Sequence, residues 1–131
     1  MKKKIVLDSF ALLAYLGNES GFEKVKQLLA DEDIHLLMND INVGEAYSII
    51  ARERGLVEAD DFVDVILPSL PITLVANSLQ EVIEASRIKA KYPLAYADCF
   101  AVATARREKA SLIMGDPEFK KIQGIIEIDW L

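Results

Sequence analysis

The sequence has few of the residues that most nucleophilic enzymes and zinc sites use. Cys99 is the only cysteine and His35 the only histidine among the 131 residues. These counts exclude an intrachain disulfide, a cysteine-based zinc site and a histidine-rich metal site, and they disfavour a Ser-His-Asp triad. We expect Cys99 to be a small buried hydrophobe in an alanine-rich helix and His35 to be a structural residue of a strand.

Long apolar runs are also absent. Only three apolar residues separate the N-terminal lysines from Asp8, so the segment lacks the hydrophobic region of a signal peptide. No run approaches the roughly 20 residues that a membrane-spanning helix needs. With 52% hydrophobic and 27% charged residues, we expect one globular domain over residues 1–131, cytoplasmic and without membrane association.

The charge is negative overall and unevenly distributed. A net charge of −6 argues against a protein that coats nucleic acid. Residues 87–109 contain six basic and two acidic side chains, which gives +4 for this segment and leaves −10 for the remainder. The segment is either an ordinary solvated helix surface or a rim that contacts phosphates beside an acidic pocket. The candidates for such contacts are Arg87, Lys89, Lys91 and Arg106.

Short apolar strands alternate with helical patterns along the chain. The predicted strands are residues 3–7, 34–38, 72–75, 111–114 and 125–128, and the predicted helices are residues 9–16, 21–30, 42–54, 58–67, 78–91 and 95–109. Strands separated by helices are typical of βα units with a parallel sheet. The sequence therefore predicts an α/β fold, a single three-layer α/β/α domain with a mostly parallel central sheet.

Four acidic residues occupy positions from which such a fold delivers side chains to one edge of its sheet. Asp8 follows the first strand directly, and Glu45 lies on the helix after the second strand. Asp116 comes two residues after the strand that ends at Met114. In open α/β sheets, ligands bind beyond the carboxyl ends of the strands. Asp98 reaches this edge only if the last long helix begins there.

Each acid also has a purely structural explanation to compare with a functional one. Asp8 could cap the helix that follows it. Glu45 could complete a capping box with Asn42, and Asp116 could be a turn residue before proline. Asp98 is the hardest to explain, because it lies in an alanine-rich helix where an unpaired carboxylate would be costly to bury. A metal ion or a basic partner would remove that cost.

Carboxylates gathered at one edge repel each other unless a divalent cation compensates their charge. Mg²⁺ prefers carboxylate oxygens and keeps several of its waters, and Mn²⁺ suits the same ligands. Such an ion lowers the pKa of a bound water and stabilises charge on phosphate oxygens. The pattern therefore favours phosphodiester hydrolysis with one or two Mg²⁺ or Mn²⁺ ions and without a side-chain nucleophile.

The order of these motifs resembles that of PIN-domain ribonucleases, and in particular the VapC-type toxins of prokaryotic toxin–antitoxin systems. The resemblance covers nearly the whole chain and rests on residues 6–9 (VLDS), 42–45 (NVGE), 96–103 (YADCFAVA) and 112–119 (LIMGDPEF). It implies a metal-binding and catalytic role for four acids and a supporting role for two polar residues: Asp8, Glu45, Asp98 and Asp116, supported by Ser9 and Asn42.

The resemblance also implies partners and an activity. These are a Mg²⁺- or Mn²⁺-dependent endoribonuclease activity on RNA, a homodimer, and inhibition by a small antitoxin protein that places a basic side chain near the carboxylates. The −10 remainder of the chain would suit a basic partner segment. Met114 departs from the family pattern, because threonine, serine or asparagine is common at that position.

Two other classes of function compete with this one. A haloacid-dehalogenase-like phosphatase needs a second aspartate two residues after the first, where Phe10 stands. A receiver domain needs an acidic pair and a late lysine, but Asp8 has no acidic neighbour and Asp116 stands in place of the lysine. The second class is a non-catalytic PIN-like module that binds RNA or protein. The presence of all four acids argues against this class, whereas the departure from the family pattern at Met114 is consistent with it.

Overall fold

The computed structural model describes residues 2–115, 117–122 and 124–131 of the chain. It contains five strands: β1 (Lys3–Leu7), β2 (Ile34–Asn39), β3 (Ile72–Val75), β4 (Ser111–Met114) and β5 (Ile128–Trp130). They form one sheet in the order β3-β2-β1-β4-β5, and all four neighbouring pairs are parallel. The predicted parallel sheet is therefore confirmed.

Helices cover both faces of this sheet. They are α1 (Ser9–Leu16), α2 (Phe22–Ala30), α3 (Asp40–Arg54), α4 (Leu56–Asp61), α5 (Leu67–Ser69), α6 (Leu79–Lys91) and α7 (Tyr96–Glu108). A π-helical stretch (Phe62–Ile66) joins α4 to α5, and a 3₁₀ helix (Pro117–Ile122) follows β4. Within the described ranges, no helix is both long and apolar enough to cross a membrane.

The alternation of side chains along each strand builds the three layers. Ile5, Leu7 and Ile113 pack against α1 and α2 on one face. Val6 and Leu112 point to the other face and pack against α6 and α7. Residues of β1 are buried on both sides because β1 is central, which explains why its apolar run is uninterrupted. The predicted α/β/α arrangement is confirmed.

Helix α7 runs across one face of the sheet, from the carboxyl ends of the strands to their amino ends. Near its end, the Oε1 atom of Glu108 accepts a hydrogen bond of 3.3 Å from the Nζ atom of Lys4, at the start of β1. The helix therefore ends at the amino edge of the parallel sheet and begins at the carboxyl edge. Cys99 is fully buried in this helix, as predicted, and burial raises the pKa of its thiol. His35 is paired with the hydroxyl of Thr73 on the neighbouring strand.

Several element boundaries differ from the sequence prediction, among them those of the last strand and of the helix predicted at residues 58–67. The last strand was predicted at residues 125–128 but begins at Ile128, because the backbone N–H groups of Ile125 and Ile126 bond to the carbonyl of Ile122 in a turn. Pairing with β4 starts at Leu112 and Ile128. The helix predicted at residues 58–67 is part of a longer helical segment, from the start of α4 to the end of α5, with the π-helical stretch inside it.

Candidate active site at the carboxyl edge of the sheet

A cavity of about 400 Å³ opens at the carboxyl edge of the sheet, and we call it the carboxylate cavity. Three of the four predicted acids line it, although they come from three distant parts of the chain. Its lining residues are Asp8, Ser9, Phe10, Leu13, Glu45, Ile49, Asp98, Met114, Gly115 and Phe119. The connectivity of the parallel sheet thus brings Asp8, Glu45 and Asp98 together.

Asp8 caps α1 and faces the carboxylate cavity at the same time. Its Oδ1 atom accepts a hydrogen bond of 2.8 Å from the backbone N–H of Ala11. The side chain is 2% exposed. Burial raises the pKa of Asp8 from 3.8 to about 7, opposed by the hydrogen bond from Ala11 and reinforced by the charges of Asp98 and Glu45. Capping of α1 is therefore compatible with a position in the wall of the carboxylate cavity.

Glu45 projects from the second turn of α3 and is held by Ser9. The hydroxyl of Ser9 donates a short hydrogen bond to the Oε1 atom of Glu45. Ser9 belongs to the first turn of α1, so this contact joins α1 to α3 beside Asp8. Ser9 thus contacts a carboxylate that lines the carboxylate cavity.

The predicted capping box of Asn42 and Glu45 is wrong. Helix α3 begins one turn earlier, and Asn39 caps it by accepting a hydrogen bond of 2.9 Å from the N–H of Ile41. Asn42 is instead fully buried, and its Nδ2 atom donates a hydrogen bond of 3.0 Å to the carbonyl of Ala97. Asn42 thereby links α3 to the first turn of α7, next to Asp98.

The sequence analysis did not predict a network of hydrogen bonds between polar side chains at the end of β2. The side-chain amides of Asn39 and Asn77 exchange two hydrogen bonds of 2.8 and 3.0 Å, and Asn39 also donates to the hydroxyl of Thr104 at 3.0 Å. This network joins the end of β2 to the loop after β3 and to α7. The available signal was Asn39 itself, because an asparagine directly after a buried strand is a strong candidate for a helix cap.

None of the four basic residues predicted to contact RNA lines the carboxylate cavity. Arg87, Lys91 and Arg106 are exposed. Lys89 donates a hydrogen bond of 2.7 Å to the carbonyl of Leu94, which braces the connection between α6 and α7. The same segment also contains Arg107, which pairs with two glutamates of α6. Some of the basic side chains of residues 87–109 therefore form contacts within the protein.

The predicted fourth acid, Asp116, lies outside the described residues. Met114, two positions before it, is 1% exposed and lines the carboxylate cavity. Its thioether packs into the core cluster of α7, so this part of the wall presents an apolar surface.

The carboxylate cavity suits a divalent cation by its donor chemistry. Among the described residues, its lining contains carboxylate oxygens and no lysine or arginine, and the pKa of Asp8 is raised mainly by burial and further by the charges of Asp98 and Glu45. Among the residues that the structure describes, no three acidic, histidine or cysteine side chains are already arranged as a metal-binding cluster. Mg²⁺ is usually bound by one or two carboxylates and retains waters, so a complete protein cage is not required. Asp8, Asp98 and Glu45 are the residues that could hold such an ion.

Comparison with known proteins identifies the family. The sequence matches the PIN domain over residues 5–125. The chain therefore belongs to the PIN domain family. No curated protein matches the sequence significantly.

Solved structures share this fold over nearly their whole length. VapBC2 from Rickettsia felis, bound to a promoter DNA fragment, superposes with a TM-score of 0.75 at 12% identity, over 98% of each chain. VapC20 from Mycobacterium tuberculosis, a sarcin–ricin loop cleaving toxin, gives a TM-score of 0.73 at 17% identity, over 95% of this chain and 98% of that one. FitAcB from Neisseria gonorrhoeae gives 0.67 at 19% identity, over 95% and 96%. At these identities the likeness establishes a common fold.

Proposed function

We propose that this PIN-domain protein is a metal-dependent endoribonuclease, formed by one domain over residues 1–131, and that it is the toxin of a toxin–antitoxin pair. The observation that carries the proposal is the meeting of Asp8, Glu45 and Asp98 in one cavity at the carboxyl edge of the sheet. Membership of the PIN domain family and the fold shared with VapC20, a toxin described as cleaving the sarcin–ricin loop, support it. Asp116 is proposed as the fourth acid of the site.

The residues of the site have distinct tasks in this proposal. One or two Mg²⁺ or Mn²⁺ ions would supply a water-derived hydroxide and offset charge on the phosphate oxygens. Asp8 and Asp98 provide hard oxygen ligands, and Asp8 is kept in place by its bond to the N–H of Ala11. Ser9 orients Glu45, and Asn42 holds the first turn of α7. The protein thus contributes fixed carboxylates, and it needs no nucleophilic side chain.

A second cavity supports the proposal of a small antitoxin as partner. A groove of about 600 Å³ runs between α1, α3 and α4, and Phe10, Leu13 and Ile49 line both this groove and the carboxylate cavity. Phe62 and other apolar side chains line it together with charged residues of both signs. A segment lying in this groove could extend a basic side chain to the carboxylates. A similar structure from Klebsiella pneumoniae is described as a toxin–antitoxin complex, which agrees with such a partner.

RNA cleavage by the purified protein tests the nuclease proposal. We expect cleavage with Mg²⁺ or Mn²⁺, none with EDTA, and a loss of at least about a hundredfold in Asp8→Asn and in Asp98→Asn, because each substitution removes a charged ligand. Glu32→Gln is the matched control, since Glu32 is an exposed acid in the turn before β2. Circular dichroism should show an unchanged fold in all three variants.

The same experiment distinguishes the alternative, a non-catalytic PIN-like binding module. RNA that is bound but never cut, at equal affinity in the wild-type protein and in Asp98→Asn, would favour the binding module and remove the assigned site. Copurification of a small basic protein would support the toxin role, whereas overexpression without harm to the host would favour a housekeeping nuclease. The proposed homodimer is tested by the mass of the protein in solution.

A further inference from the structure

Phe10 is a large aromatic side chain that the fold leaves exposed. It is 54% exposed and belongs to none of the buried core clusters, although Ser9 and Ala11 on either side of it are buried. Helix α1 has an apolar outer face as well as an apolar inner face, whereas the outer face of a surface helix is ordinarily polar. Single exposed apolar residues are common on protein surfaces, so the significance of Phe10 depends on what lies next to it.

The position of Phe10 is at the rim of the carboxylate cavity. The residue lines the cavity together with Asp8, Glu45 and Asp98. On one side, its ring lies against Gly115: a Cβ atom added to Gly115 would come within 3.3 Å of the Cε1 atom of Phe10. The glycine allows the ring to approach the backbone that follows β4. The ring is therefore braced along one edge, and more than half of the side chain remains open to solvent.

RNA binding at this site faces an electrostatic difficulty. The described part of the cavity lining contains Asp8, Glu45 and Asp98 and no lysine or arginine, and the whole chain carries a charge of −6. Metal ions held by the carboxylates would offset the charge of the phosphate that they contact, and the nucleotides on either side need other contacts for their affinity. Stacking of unpaired bases on aromatic side chains is the contact that serves this purpose in proteins that bind single-stranded RNA.

We infer that Phe10 stacks on an unpaired base of the RNA beside the phosphate that enters the carboxylate cavity. The inference rests on the proposed nuclease function, and it adds a subsite that selects for single-stranded substrate. Phe10 contacts the substrate through its ring, while the carboxylates remain responsible for the chemistry.

Binding of a fluorescent RNA in the absence of cleavage tests this role. The probe is a single-stranded RNA with 2-aminopurine placed at each position in turn, because stacking on an aromatic ring quenches its fluorescence. All proteins carry Asp98→Asn to prevent cleavage. We expect Phe10→Leu to weaken binding roughly tenfold and to abolish the quenching at one position, whereas Phe10→Trp retains both. Leu79→Ala is the control, because Leu79 is 76% exposed and lies outside the carboxylate cavity.

The possible results are separable. If the Asp98→Asn protein binds RNA and quenches the probe equally well with and without Phe10→Leu, the stacking role is overturned and the nuclease proposal remains intact. Unchanged RNA binding with loss of a copurifying antitoxin would also overturn it, and would make Phe10 a protein contact. Absence of any RNA binding or cleavage by the wild-type protein would defeat the nuclease proposal, and the stacking role with it.

Discussion

Replacing Asp8 by asparagine should stabilise the metal-free protein at neutral and alkaline pH, although it removes a residue of the proposed active site. Asp8 is 2% exposed, and its pKa is raised to about 7 by burial and by the charges of Asp98 and Glu45. Above that pH, folding therefore buries the charged carboxylate of Asp8 close to two other acids, and this lowers the stability of the folded state. Asparagine has nearly the same shape and can still cap α1, but it carries no charge.

The size and the sign of the effect follow from the two pKa values of Asp8. In the unfolded chain it ionises near the ordinary value of 3.8, and in the folded protein near 7. Below pH 4 both states hold the proton and the burial of Asp8 costs little. Between pH 4 and 7 the unfolded state releases the proton first, so the free energy of unfolding falls as the pH rises. The loss reaches about 4 kcal/mol above pH 7, as an upper bound.

Urea denaturation in EDTA at pH 5 and at pH 8 measures this difference. The advantage of Asp8→Asn over the wild-type protein should be larger by about 2 kcal/mol or more at pH 8 than at pH 5. Addition of Mg²⁺ at pH 8 should stabilise the wild-type protein and have much less effect on the variant, because a ligand stabilises the state that binds it. Asp8→Ala should gain less than Asp8→Asn by about 1 kcal/mol, since alanine cannot cap the helix.

An advantage of Asp8→Asn that is equal at the two pH values would refute this reasoning, because it would mean that the carboxylate of Asp8 ionises in the folded protein as it does in the unfolded chain. Glu32→Gln serves as the control for a lost surface charge and should change stability by less than about 0.5 kcal/mol at either pH.

Three further substitutions test the packing around the site by urea denaturation. Asn42→Ala should lower the free energy of unfolding by about 1–2 kcal/mol, because it removes the buried hydrogen bond to Ala97; an unchanged stability would show that this bond contributes nothing. Gly44→Ala on the same helix should raise it by about 0.5–1 kcal/mol, since an added Cβ meets no atom within 4 Å, and a loss would contradict the open space described there. Gly21→Ala should lower it by more than about 1 kcal/mol, because φ is +93° and the Cβ would lie 2.5 Å from Cγ of Leu131; a neutral result would mean that the C-terminal residue does not pack on Gly21.

The positions of β1 and β4, the strands next to the carboxylate cavity, could be predicted because their apolar sequences are typical of buried strands. The apolar run of β1 fits a strand buried on both faces, and β4 is equally apolar. Strand β5 has only three residues. The isoleucines before it, Ile125 and Ile126, have a sequence pattern typical of a strand, but in the structure they form a turn. In so short an element, pairing with β4 decides the boundary, and a local pattern does not contain that information.

The gathering of the acids could be predicted from connectivity, but the contacts between them could not. Asp8 follows a parallel strand, so its place at the carboxyl edge is determined by the fold class. The capping residue of α3 could not be chosen from the sequence, because Asn39 and Asn42 have the same side chain and both precede helical residues. The bond from Asn42 to Ala97 depends on how closely α3 and α7 approach each other, and only tertiary packing sets that distance.

The strand order also determines when during synthesis the sheet around β1 can be completed. Strand β1 lies between β2 and β4, so its second neighbour is made only when the ribosome has reached residue 114. Until then the earliest strand has one open edge, and Asp8 and Glu45 lack the helix that brings Asp98 to them. A polypeptide that stops short of α7 would lack Asp98, which lines the carboxylate cavity with Asp8 and Glu45. For the nuclease proposed above, RNA cleavage could begin only after α7 and β4 have been synthesised.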